Sequence, residues 1–329
     1  MGKYLFSEIR EIMINRPFLL QEMYKGKEEN NPLELFLYYK GDAKSDGIDI
    51  DVSLYNMFVY GTCYENIIVN ENTELTLQDR CKYKYEMKRV QGLESFTVRG
   101  DTAVNCMSIL VQIASFTLKK RVYAYEINAV REGIIKSFEE EPELKELIEK
   151  HVKLCYGIGN FYPIPFLTAK ESLNQKKGVL RVGGIKIGGN RKVMFMDSLQ
   201  VFLKVMYQYF VENNLSSCKL IESVDKHYRD WAESFGKGQK GWKQFVDINC
   251  FNSFVNNSNE LCEPIDFFSI SQNTFTEDVK KYLKSINAAL EERENELVLR
   301  IKKAETNDIL CKLFELPFKE ICELNRCKK

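Results

Sequence analysis

The chain has 329 residues, 44% of them hydrophobic, including 21 Phe and 17 Tyr, which is enough to bury the core of one large or two modest domains. Lys plus Arg equals Asp plus Glu at 47 each; with zero formal net charge, no global field draws the chain to nucleic acid, leaving only a local basic patch for such a partner. The strongest apolar run, "SILVQIASF" at 108–116, is too short to cross a bilayer, and the N-terminus lacks a signal-peptide pattern, so a cytoplasmic chain without a membrane partner is expected.

In chain order, "SEIREIMIN" reads as a short helix capped by Ser7 and ended by "NRP". "PLELFLYY" fits strand or helix. From "DIDVSLYNMFVY" through "NIIVN" and "ELTL", short β-branched and aromatic runs predict several antiparallel strands, which "YKYEMKRV" continues. "FTV" reads as a strand and "RGD" as a turn, after which Asp101 or Thr102 caps a helix running to about Lys120. "EPELKELIEKHVKLC" predicts another helix, with Pro142 in its first turn, acids at its start and cations near its end.

The segment "YGIGNFYPIP" at 156–165 is the least ordinary in the chain. Gly157 and Gly159 permit unusual dihedrals, while Pro163 and Pro165 stiffen the end of the segment. "RVGGIKIGGNRK" reads as a tight β-hairpin, and "DSLQVFLKVMYQYFVENN" as a buried helix capped by Asp197 or Ser198. The remainder is helical, ending in a long stretch from Thr274, where Thr274 and Glu277 have capping-box spacing. The expected fold is α+β, with an N-terminal antiparallel sheet region packed with a mainly helical C-terminal half. Residues 1–155 form the mixed sheet and helix region. Residues 156–329 hold the motif loop, the hairpin and the helices, in one continuous globular unit.

Chemistry-bearing residues are sparse. The ten cysteines form no CxxC and the chain has only two histidines, poor raw material for a zinc site. Buried free thiols and no metal are expected, with cofactor and catalytic residues unassigned. "GKGQKG" at 236–241 fits GxGxxG, but a predicted helix rather than a strand precedes it, so a surface turn is the better reading. Asp49 and Asp51 are spaced for one strand face, without a further acidic motif to complete a cation site. His151 and His227 lie in charged helices without triad spacing and are expected at the surface.

Two polar groupings remain as ligand-binding candidates. One is the motif loop, with Tyr156, Asn160 and, further on, Asn174; the Asn160 amide either faces a ligand or satisfies buried backbone. The other is the strand-to-helix turn bearing Arg99 and Asp101, where a helix N-terminus attracts anions. Arg181, Lys186, Arg191 and Lys192 on the hairpin are candidate nucleic-acid contacts, although a charged solvated edge explains them as well.

The ordered series "YGIGNFYPIP…LNQKKG…MDSLQVFLKVMYQYF", "WKQFVDINCFNSFV" and "EPIDFF" resembles an uncharacterised bacterial protein family. That family has a TIGN/G-type loop ending in Pro, an (I/L)N element, a D-initiated helix and an aromatic FV segment. The resemblance implies membership without chemistry. The expected function is a module whose polar loop around Asn160 binds a ligand or partner; some of the family's members look like neighbours of phage-defence or mobile-element genes, an association with defence or stress. The richness in Lys, Asn, Ile and Tyr agrees with a bacterial source. Gly159-Asn160-Phe161 and Leu173-Asn174 are also similar to the "IGNL…LN" pattern of HNH-type nucleases of modification-dependent restriction systems. That likeness implies a metal-dependent nuclease with His151, Asn160 and Asn174 near its site. The acidic-His pair of those enzymes is replaced here by "IEKHVKLC".

Overall fold

The computed structural model describes residues 6–23, 31–41, 58–64, 67, 87–88, 97–102, 104–165, 180–182, 185–187, 199–215, 217–218, 221, 226–262 and 273–305. Helix accounts for most of them. In the N-terminal half these are α1 (Phe6–Ile14), α2 (Leu19–Met23), α3 (Pro32–Gly41), α4 (58–63), α5 (Cys106–Thr117), α6 (Ile127–Glu140) and α7 (Pro142–Cys155). A 3-10 turn over Ile158–Asn160 leads into β3 (Phe161–Pro165). The second half contributes α8 (Leu199–Tyr207), which runs on as a π-turn over Gln208–Glu212. It continues with α9 (Lys226–Ser234), α10 (Gly238–Ile248) and α11 (Phe275–Lys303).

The expected α+β fold with an N-terminal antiparallel sheet region is therefore overturned. "PLELFLYY" is α3, and the end of the "DIDVSLYNMFVY" run is α4. The physical reason is that so short and apolar a run shows little period to read; α3 buries Leu33, Leu35, Phe36, Leu37 and Tyr39 together. What β structure the described residues hold is minor. Strands β1 (Met87–Lys88), β2 (Thr97–Thr102) and β3 pair antiparallel in that order, so the motif segment completes a small sheet begun in the first half. A separate hairpin pairs β4 (Leu180–Val182) with β5 (Ile185–Ile187), as its Gly-rich turn predicts.

The 29 residues of α11 extend about 44 Å at the usual rise per residue and form the axis of the packing. α11 lies against α1, α7, the Ile158–Asn160 turn and a second 3-10 turn over Asn252–Phe254. α5 and α6 pack closely, because Gly133 admits the α5 backbone: a Cβ there would stand 2.6 Å from the Ala114 Cα. One hydrophobic core, from Met13 through Ile301, runs through both halves, with Trp231, Trp242, Phe235, Phe245 and Phe251 as its aromatic centre. Among the described residues no helix is long and apolar enough to cross a membrane.

Three local expectations are also corrected. The "RGD" residues are mid-strand in β2 rather than in a turn, with Arg99 paired to Ile164 and Asp101 to Tyr162 in register. α5 starts only at Cys106, so neither Asp101 nor Thr102 caps it. Sheet pairing with β3, invisible in local sequence, keeps the chain extended past the predicted cap. At α11 the Thr274 hydroxyl donates to Asp278 Oδ2 at 2.7 Å instead of forming the capping box with Glu277.

Candidate functional site

The motif segment folds against α11 as a corner. A Cβ on Gly159 would stand 2.6 Å from the Leu290 carbonyl oxygen, and one on Gly157 would stand 2.6 Å from Glu294 Oε1. These glycines serve close approach rather than unusual dihedrals, since neither has a positive φ. Arg293, 1% exposed, holds the corner from α11. Its guanidinium donates to the carbonyls of Gly159, Phe161 and Asn249 and to the Tyr64 hydroxyl, and lies 4.9 Å from the Phe251 ring centroid. Four neutral oxygens and a ring face thus replace its water. The neighbouring Glu294 carboxyl accepts from the Ile158 and Gly159 N–H groups, and burial pushes its pKa up to about 7.

Of the predicted ligand-binding residues, Tyr156 and Asn160 are both buried. Tyr156 packs against the rings of Phe36 and Tyr39, each at 5.6 Å, and its carbonyl accepts from the Leu19 N–H. Asn160 accepts from the Val104 N–H at 2.7 Å and donates to the Val104 carbonyl at 2.9 Å and the Cys155 carbonyl at 2.8 Å. Its amide is committed to backbone. Arg99 and Asp101 are placed by β2 alone, and Arg181 and Lys186 are register partners in the hairpin. Asn174, Arg191, Lys192, Asp49 and Asp51 lie outside the described residues.

His151, expected at the surface, is fully buried. It shares one face of α7 with Cys155, a turn apart, and Cys106 opens α5 opposite them. One ligand atom from each of Cys106, His151 and Cys155 lies within 4.8 Å of the others. The Asn287 amide nitrogen donates to the Leu147 carbonyl at 3.0 Å, which fixes Oδ1 as the atom 2.7 Å from His151 Nδ1. Nδ1 therefore carries the proton, and Nε2 presents a lone pair to Cys155 Sγ at 3.4 Å. Burial pushes the imidazole down to about 4, against the Asn287 bond, so it stays neutral; burial and the Cys106 bond hold the Cys155 thiol well above its ordinary range. No carboxylate is bonded to His151 among the described residues. In sequence, "HVKLC" carried the helical spacing of this pair, but its third member comes from another helix.

At the surface, the α5–α6 connection was passed over in the sequence, although "KKRVYAY" carries three consecutive cations followed by alternating tyrosines. Lys119 takes a left-handed φ of 51° and turns the chain off α5. Ser115 Oγ donates to the Val111 carbonyl and accepts from the Val122 N–H, and Val122 is buried, so the loop is pinned. The Tyr123 N–H donates to Glu126 Oε2 at 2.8 Å. On this fixed backbone the Arg121 guanidinium lies 4.9 Å from the Tyr123 ring, which stacks on Tyr125 at 5.4 Å and 11°. Tyr125 is 78% exposed, and Lys119, Lys120 and Arg121 on the same connection are exposed with no ion pair to a described residue. Comparison with known proteins finds no matching family, no matching curated protein and no matching solved structure.

Proposed function

We propose that this protein is a binding module that takes single-stranded nucleic acid on the α5–α6 connection. The observation that carries the reading is the Arg121–Tyr123–Tyr125 stack, its outer ring exposed on a connection that also carries the exposed Lys119 and Lys120. Single-strand binders combine cations that follow the backbone with aromatic faces on which bases stack, and neither needs a net positive chain. The pinned loop keeps the rings in place before a strand arrives, so little ordering entropy opposes binding.

The test is fluorescence anisotropy of a labelled single-stranded oligonucleotide with the full chain across a salt series. Tyr125→Ala should weaken binding about tenfold or more, in line with the ~1–3 kcal/mol of a base–aromatic stack. Neutralising Lys119, Lys120 and Arg121 to Gln should flatten the salt dependence. No binding at low salt, or unchanged affinity in both variants, refutes the assignment. Retention of duplex DNA or an acidic peptide in place of the single strand refutes it too.

A further inference from the structure

The strongest unassigned grouping is the buried cluster of Cys106, His151 and Cys155. From its geometry we propose that it is a zinc-binding site with two thiolate ligands and the His151 Nε2 ligand.

The distances fit the metal. Zinc bonds to nitrogen and sulfur at about 2.0 and 2.3 Å; tetrahedral angles then separate the two donors by roughly 3.5 Å. His151 Nε2 and Cys155 Sγ stand at 3.4 Å, and Cys106 Sγ completes a triangle with no side above 4.8 Å. A shift of about 1 Å by Cys106 closes the set on the spacing of two sulfur ligands. The imidazole is also prepared from behind. Metal-ligating histidines almost always give their other N–H to an oxygen acceptor, and Asn287 Oδ1 fills that role with its own amide fixed by Leu147.

Charge selects zinc over monovalent copper. Two thiolates, a neutral imidazole and Zn2+ sum to zero, which a dry core tolerates, whereas Cu+ would leave a net buried anion. Loading displaces one proton from each thiol, forms two Zn–S bonds and one Zn–N bond, and changes no oxidation state. The three side chains supply three of the four positions of a tetrahedral zinc. Tyr282, its ring edge-on to the imidazole at 6.5 Å, flanks the site.

The motif segment supplies the positioning. Asn160 bonds the backbone of Val104, just ahead of Cys106, and the carbonyl of Cys155 itself, so one amide sets the two sulfur-bearing helix ends against each other. Cys63 and Cys250 are equally buried but have no imidazole beside them among the described residues, and they serve as internal controls.

The experiment uses the full chain, purified under reducing conditions, stripped with a chelator and titrated with Co2+, then Zn2+. Sulfur-to-cobalt charge-transfer absorption should saturate at equimolar metal and disappear as zinc displaces cobalt. Zinc should raise the thermal midpoint, and EDTA should reverse the rise. Cys106→Ser and Cys155→Ser should lose equimolar binding, while Cys63→Ser and Cys250→Ser keep it. A wild-type spectrum without the sulfur-to-cobalt band overturns the proposal even if the serine variants do not fold. Retention of the band in Cys106→Ser or Cys155→Ser, or binding of Cu(I) with none of zinc, also overturns it.

Discussion

Asn160 pairs with Val104 through both ends of its side-chain amide, accepting from the N–H at 2.7 Å and donating to the carbonyl at 2.9 Å. A side chain here does what a β-strand neighbour would do, and its remaining donor reaches the Cys155 carbonyl at the end of α7. The corner therefore joins the entry of α5 to the exit of α7 by a fully buried amide with both its donors used.

Asn160→Ala leaves the Val104 N–H and carbonyl and the Cys155 carbonyl without this partner in the interior. Each orphaned group costs roughly 1–3 kcal/mol, so the variant should lose several kcal/mol in urea unfolding. Asn160→Asp keeps the shape but turns a carboxylate oxygen toward two carbonyls, and should lose at least as much. A change within about 0.5 kcal/mol in both variants, as for an amide reserved for an external ligand, contradicts this account.

The two motif glycines should respond differently to the same methyl group. Gly159→Ala drives a Cβ into the Leu290 carbonyl oxygen at 2.6 Å, a backbone atom inside α11 that has no room to retreat. Gly157→Ala meets the end of the Glu294 side chain at the same distance, which a rotation relieves. Overpacking typically costs about 1–3 kcal/mol, and Gly159→Ala should fall at or above the top of that range with Gly157→Ala below it. Thermal unfolding of the two variants checks the order, and a reversed order would show that the corner yields where α11 does not.

Glu294 gives the folded chain a pH dependence of definite sign. Burial raises its carboxyl from 4.5 to about 7, with the Arg16 charge and then its two backbone donors opposing the rise. Between those values the folded state holds a proton that the unfolded state has released. This group's contribution therefore falls as pH rises through the window and levels off above about 7. Glu294→Gln removes the titration, so the stability difference between variant and wild type should shift in favour of the variant from pH 4.5 to pH 7. Urea midpoints across that range measure it, and a difference that stays constant with pH rules the buried carboxyl out as the source.

Much of the helical framework was legible from the chain itself. Pro142, the acids after it and the apolar spacing define α7 without reference to any other segment, and the Gly pairs around Ile185 define the hairpin. α3 stayed open between strand and helix, because the apolar residues of so short a run show little period. The sheet was misplaced because β2 takes its longer partner, β3, from beyond α7, a pairing with no local trace.

The same division runs through the candidate site. Local spacing on one helix face determined that His151 and Cys155 share a side of α7. Only tertiary packing decided that this side is interior, that Cys106 arrives from α5 to meet it, and that Asn287 fixes which imidazole nitrogen is free. Helical period is a property of neighbours in sequence. Burial and ligand geometry are properties of neighbours in space, which the chain brings together only when α5, α7 and α11 pack.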